Sequence, residues 1–291
     1  MRTSSVVPEP VSASPPALAR PRLMRQDWRD LTYLHWAVEP ERVAPFMPAG
    51  VRPDVHDGAT YVGLIPFRMV DAGFAHGPGV PYAGSFLETN VRLYSVDGTG
   101  RRGIVFLSLD TDRSLVVAGA RAAFGLPYRW ARMRHNSSCA GGGTEHRYDA
   151  RLRWPRGGPR SRIVVRAHEP VLPAPLDVFL SARWGLHLRH LRHTWYVPNA
   201  HAQWTFRRAE LRELDDELVA SVGLPGVSTR PPDHVGFSDG VHTEFGPPVL
   251  ASSPRPGTPH GPPVTGVVGP TTSQTQAPAT TTPKLIGHPR P

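Results

Sequence analysis

The feature that most constrains this chain is a recurring unit. A run of β-branched, aromatic and alternating apolar residues is followed by a short glycine-containing turn and a second such run. Residues 51–56 and 60–70 flank Asp57-Gly58. Residues 85–96 and 103–110 flank Asp97-Gly98-Thr99-Gly100, and residues 147–154 and 161–167 flank Pro155-Arg156-Gly157-Gly158-Pro159. Glycine supplies the positive φ that tight hairpin turns require, so each unit predicts a pair of antiparallel strands. Residues 31–38 read as another strand, and residues 195–197 with 202–207 as a further pair. Helices are expected at residues 114–124, with Ser114 as N-cap and Gly125 beyond the end, at 175–183 and at 208–222. Many hairpins with few helices predict a mainly β chain with a few helices (α+β), its antiparallel sheet closed or nearly closed on itself.

The ends differ from the middle. Residues 1–20 are rich in Pro, Ser and Ala, and 26 of the 42 residues in 250–291 are Pro, Ser, Thr or Gly. Such segments bury too little surface to offset their ordering entropy, so both are expected to be disordered around a single domain at 21–249. The one cysteine, Cys139, rules out an internal disulfide or a cysteine metal cluster, and residues 136–143 around it read as a loop. Prolines occupy the N-terminal stretch where a signal peptide would be apolar, and no run has the length of a membrane span. A cytoplasmic protein without membrane contact is the expectation.

Chemistry concentrates on residues 86–94. Side chains alternate along a strand, so Glu88, Asn90, Arg92 and Tyr94 share one face, while Leu87, Thr89, Val91 and Leu93 share the other. The polar face either meets water or lines an internal cavity. In a cavity, Arg92 would bind a carboxylate bidentately and Glu88 would act as acid or base, or neutralise Arg92. Ser108 and Asp110 are expected on one face of the next strand, together with Phe106. A Gly125-Leu126-Pro127 turn then presents Tyr128, either as a proton-handling group or as core packing with a satisfied hydroxyl.

These stretches resemble the YqjF-like family, bacterial domains of unknown function. The resemblance rests on residues 86–94 and 103–110, and on Ala120-Arg121 through Leu126-Pro127-Tyr128 to Met133. Leu34-His35-Trp36, Met47-Pro48-Ala49-Gly50, Arg183-Trp184-Gly185-Leu186 and His201-Ala202-Gln203-Trp204 also fit. It spans about 23–249. The family is grouped with the acetoacetate decarboxylase-like fold, which implies a cone-shaped antiparallel β-barrel with an internal cavity. Decarboxylases of that fold carry a Gly-aromatic-Pro-Lys-Lys turn, one lysine of which forms a Schiff base. Here Tyr128 and Arg129 stand at the two lysine places, and Gly119-Ala120-Arg121 loosely matches the preceding helix. The resemblance therefore implies Glu88 and Tyr128 as catalytic groups, and Asn90, Arg92 and Arg121 as ligand-binding groups for a small anionic organic molecule. Lysine chemistry is excluded independently, because 32 of the 33 basic residues are Arg and the sole lysine is Lys284. Any activity would be lysine-independent and lyase-like. No cofactor is implied, and homo-oligomer formation is left open.

The net charge of +9 is local. Residues 131–210 hold 14 Arg against 5 acidic residues, which accounts for all of it. The alternative function is therefore a non-enzymatic basic module binding nucleic acid or another polyanion through 131–210. Arg147, Arg151 and Arg153 share one strand face. Against this reading, Tyr148 and Trp154 alternate onto the opposite face, whereas single-strand binders expose aromatics among their charges. His187, His190 and His193 invite a metal, but no carboxylate is near in sequence, so no metal site is expected. His35 reads as a satisfied core histidine, and His201 is similar.

Overall fold

A computed structural model describes residues 6–155 and 157–251. The expected C-terminal tail lies, from residue 252 on, outside the described residues. Among the described residues, thirteen strands form one sheet: β1 (Met24–Val38), β2 (Val51–Pro53), β3 (Thr60–Phe74), β4 (Phe86–Asp97), β5 (Arg102–Thr111), β6 (Tyr128–Ala140), β7 (Gly143–Leu152), β8 (Arg160–Val171), β9 (Gly185–His190), β10 (His193–His201), β11 (Phe206–Asp216), β12 (His234–Phe245) and β13 (Val249–Leu250). The helices are α1 (Pro40–Val43), α2 (Ser114–Phe124), α3 (Pro175–Ser181) and α4 (Leu218–Ser221). No described helix is long and apolar enough to cross a membrane.

The pairings run β5-β6-β7-β8-β11-β12-β1-β3-β4 and return from β4 to β5. A second circuit leaves β5 through β9 and β10 and rejoins at β12. Strands β12, β1, β3, β4 and β5 belong to both circuits, so both faces of this common wall are covered. This explains why β3 reads as a nearly continuous apolar run instead of an alternating one. One face packs Leu34, Trp36, Val62, Leu64, Val91 and Leu93 against Ile163 and Val165 of β8. The other carries Tyr33, Ile65 and Phe67 against Trp204 and Phe206, and Tyr94 and Ile104 against Phe179 and Leu180 of α3. The polar face of β4 is on this second side.

Several expectations are corrected. The sheet is not wholly antiparallel: β5 pairs with β6 and with β9 in parallel. The turn at Asp57-Gly58 forms, with φ of 50° and 84°, but its flanks make only the His56–Ala59 bridge, and β2 pairs with β4 instead. The proposed pairing of 195–197 with 202–207 is absent, because β10 pairs with β9, β12 and β13 while β11 pairs with β8. The helix expected over 208–222 is the strand β11 followed by the single turn α4. Arg208, Glu210 and Arg212 are exposed while Ala209 and Leu211 turn inward, a period of two that β8 fixes over the helix propensity of Glu, Leu and Arg. Helix α2 has the expected bounds and ends on Gly125 at φ 66°, but its N-cap is Arg113, not Ser114. Cys139 is exposed on β6, not in a loop, and the turn comes two residues later at Gly141-Gly142. Residues 6–20, expected to be disordered, run against the domain: the Glu9 amide donates to the Gly100 carbonyl at 2.9 Å and the Trp184 indole to the Ser12 carbonyl at 3.0 Å.

Candidate functional site

The site is built on β4. Its neighbours set what stands beside each polar residue: Phe67, Ile65 and Gly63 of β3 lie opposite Glu88, Asn90 and Arg92. On the other side, Thr111, Leu109 and Phe106 of β5 lie opposite the same three. The β4–β5 register shifts between Val91 and Arg92, which leaves Leu107 unpaired in a bulge. The bulge separates Phe106, beside Arg92, from Ser108 and Asp110 on the opposite face, so the expected common face of these three residues is not formed. Gly63 leaves room here: a Cβ would stand 3.1 Å from the His35 ring and 3.2 Å from the Arg92 side chain, so either would have to shift to admit one.

The parallel pairing of β6 with β5 brings Tyr128 beside Leu109, one row from Glu88. Its hydroxyl donates to Glu88 Oε2 at 2.9 Å. Both residues are buried. Burial pushes the Glu88 carboxyl from its ordinary 4.5 up to about 8, against the lowering effects of the Tyr128 hydroxyl and the Asn90 amide. Burial and the adjacent Glu88 also hold the Tyr128 phenol well above its usual range. At neutral pH this is a protonated acid beside a neutral phenol, a pair able to deliver a proton. The neighbouring Arg129 points to the other face, where Asp110 accepts from it at 2.5 and 2.7 Å and Ser108 at 3.1 Å.

Arg92 lies two rows beyond Asn90's neighbour Glu88, about 13 Å along the strand, so the two do not pair. Its Nε and Nη2 donate to the Tyr94 hydroxyl at 3.2 and 3.1 Å, and Nη2 donates to the Leu180 carbonyl at 3.0 Å. The guanidinium lies 5.7 Å from the centre of the Tyr33 ring. No carboxylate pairs with it among the described residues. By contrast, the buried Arg183 nearby is matched by Asp54, which also takes Arg102. Asn90 Oδ1 and the Tyr33 hydroxyl are among the buried polar atoms of this wall that lack partners. Arg121 does not join them. It is exposed on α2 and donates to the Tyr128 carbonyl at 3.1 Å, anchoring the turn.

Behind Arg92 runs a chain that the sequence did not reveal. His35 Nε2 lies 2.6 Å from the Tyr94 hydroxyl, His35 Nδ1 lies 2.9 Å from His234 Nδ1, and His234 Nε2 lies 2.6 Å from Asp177 Oδ1. The Tyr94 hydroxyl also lies 3.0 Å from the Leu180 carbonyl, so its one hydrogen serves either that carbonyl or His35. Burial, followed by His234, Arg92 and Arg183, holds His35 well below the usual histidine range. His35 is the satisfied core histidine that its apolar neighbours predict. His201 is likewise buried, with Nδ1 2.7 Å from the Ala202 carbonyl. Tyr33 shares a face of β1 with His35, and that alternation was the available signal for it. His234 and Asp177 come from distant segments, joined only by the fold. His187 is buried 2.9 Å from Ser95, while His193 is exposed at the β9–β10 turn. No group of three metal-binding side chains forms among the described residues.

Comparison with known proteins gives a consistent result. The model of the DUF2071 family, described as an uncharacterized conserved protein, matches residues 25–242. The uncharacterized protein YqjF of Bacillus subtilis (strain 168) is 30% identical over 195 residues, which cover 65% of this chain and 76% of YqjF. Among solved structures, the enduracididine biosynthesis enzyme MppR in complex with pyruvate superposes with a TM-score of 0.57 at 14% identity, over 81% of this chain and 93% of MppR. An acetoacetate decarboxylase-like enzyme from Sphingomonas wittichii RW1 gives 0.56 at 13% identity, over 80% and 95%. The acetoacetate decarboxylase of Legionella pneumophila gives 0.52 at 12% identity, over 86% and 93%. At these identities the likeness establishes an acetoacetate decarboxylase-like fold.

Proposed function

The chain belongs to the DUF2071 family, YqjF-like with an acetoacetate decarboxylase-like fold, and we propose that it binds a small carboxylate along the interior face of β4. The observation that carries this reading is Arg92, a partly buried cation with no carboxylate partner among the described residues. An uncompensated charge in a fold's interior is costly, and a ligand anion removes that cost. The unpartnered Asn90 Oδ1 and Tyr33 hydroxyl add polar contacts for the rest of the molecule. Glu88, with Tyr128 beside it, lies about 13 Å along the strand from Arg92, so it would give a hydrogen bond or a proton only to a ligand long enough to span the two. Chemistry at this face runs without an iminium, since Lys284 is the only lysine and Tyr128 and Arg129 are not amine nucleophiles. The pyruvate complex of MppR supports the choice of a keto acid as first probe.

The test is isothermal titration calorimetry with pyruvate and acetoacetate, beside a thermal-shift screen of small carboxylates. The wild type is expected to bind at least one of them. Arg92→Ala should abolish that binding while the far-ultraviolet circular dichroism is unchanged, and Asn90→Leu should weaken it. Binding that survives Arg92→Ala, or a wild type that none of the probes stabilises, would refute the proposal.

A further inference from the structure

The outer face of β6, β7 and β8 carries a second constellation. Arg132, Arg151 and Arg160 stand directly opposite one another across these three strands. The next row holds Arg134, Asp149 and Arg162. Between the rows lies an open groove of about 400 Å³. Like charges directly opposite on neighbouring strands destabilise a sheet. Arg160 is relieved by Asp215 at 3.2 Å and Arg162 by Asp149 at 2.8 Å. Arg132, Arg134, Arg151 and Arg153 have no carboxylate partner among the described residues. The sequence outside those residues contains no Asp or Glu to supply one.

Two exposed tryptophans lie close to these rows in the chain, Trp130 two residues before Arg132 and Trp154 three residues after Arg151. Trp130 shares the outer face of β6 with Arg132 and Arg134 and is 45% exposed; the Arg153 guanidinium lies 4.4 Å from its ring centre. Trp154 is 84% exposed. Simple alternation assigns it to the inner face with Tyr148, Ala150 and Leu152, which are buried. But β7 ends at Leu152, and Trp154 turns out into solvent. Of the two aromatics that alternation assigns to the opposite face, Tyr148 is buried there and Trp154 is not.

We propose that this face binds single-stranded nucleic acid, with phosphates on the Arg132–Arg151 and Arg134 rows and bases stacked on Trp130 and Trp154. Neighbouring strands are about 4.8 Å apart and successive rows about 7 Å apart. The charged rows and the tryptophans are therefore close enough to engage adjacent nucleotides. Stacking on an aromatic face tolerates any base, and arginine adds a cation–π contribution, so the face reads backbone and base planes but not sequence. This site is separate from the interior face of β4 and does not depend on what binds there.

The experiment titrates the full-length protein with an oligothymidylate of about twelve nucleotides, within the length such surfaces engage. Tryptophan fluorescence and anisotropy are followed, with heparin and thymidine triphosphate as parallel arms. Binding is expected with quenching of tryptophan emission and an affinity that falls with salt. Arg132→Ala and Arg151→Ala should each lower the slope of log affinity against log salt by about one. Trp154→Ala should weaken oligonucleotide binding about tenfold and remove part of the quenching, leaving heparin retention and Tm unchanged. These side chains are exposed, so the variants should fold. Absence of quenching, oligonucleotide affinity insensitive to Trp154→Ala, or triphosphate binding as tight as the oligonucleotide would each overturn the proposal.

Discussion

Replacing Glu88 by glutamine should make the protein more stable, increasingly so as pH rises. The carboxyl is held at about 8 in the folded chain, against about 4.5 when exposed. Between these values the unfolded state has released the proton and the folded state has kept it. Unfolding therefore releases a proton, and stability falls as pH increases across this window. Below pH 4.5 the carboxyl is protonated in both states and contributes no slope. Each unit is worth about 1.4 kcal/mol, so the full span amounts to about 5 kcal/mol lost by pH 8. Glutamine preserves the acceptor for the Tyr128 hydroxyl and cannot ionise. Urea denaturation of both proteins at pH 5, 6, 7 and 8 isolates the effect, because the other titrating groups are common to the pair. The difference in favour of the variant should grow by about 2–3 kcal/mol from pH 5 to pH 7. A constant offset contains the altered hydrogen bonding, so the slope is the quantity to read. A difference independent of pH would mean that Glu88 titrates as an ordinary carboxylate. No protonated acid would then stand beside Tyr128 at neutral pH.

Two other perturbations separate the parts of the interior. Tyr128→Phe removes the donor that lowers the Glu88 carboxyl, so a ¹³C-carboxyl NMR titration should show Glu88 moving further up, and the orphaned Oε2 should reduce stability by about 1–3 kcal/mol. Asp54→Ala leaves Arg183 buried beside Arg102 without their shared carboxylate, and denaturant unfolding should show a loss of about 3–5 kcal/mol, much larger than that from deleting an exposed pair such as Arg208–Glu169.

Local chemistry was legible where the chain dictates it locally. The turns at Asp97–Gly100 and around Gly157, the stop of α2 at Gly125 and the alternation along β4 depend on φ preferences and side-chain periodicity within a few residues. The burial of the polar face of β4 did not follow from periodicity. An Glu-x-Asn-x-Arg-x-Tyr face looks the same whether water or Trp204 and α3 lies above it, and only the family resemblance favoured the interior. The bulge at Leu107 and the pairing partners of β2, β10 and β11 are tertiary facts. They are fixed by which edge is free when strands meet, and no local signal encodes this. Tyr128 was placed beside the site by its turn. Its contact with Glu88, in contrast, required the parallel β5–β6 pairing. Arg121 shows the converse: a residue suggested by resemblance serves the backbone of the turn instead of the interior.

The wall shared by the two strand circuits also sets a timing problem for synthesis. β1 finds β3 soon after both are made, but its other edge pairs with β12, across sequence separations of 199 residues at His35–His234 to 221 at Met24–Phe245. At ribosomal speeds of about 5–20 residues per second, that edge waits roughly 10–40 s for its partner. During this interval Leu31, Tyr33, Leu34 and Trp36 lie beside an unpaired strand edge, the kind of surface on which nascent chains join one another. Expression yield should therefore respond to translation rate and to chaperone supply more than the stability of the finished protein would suggest.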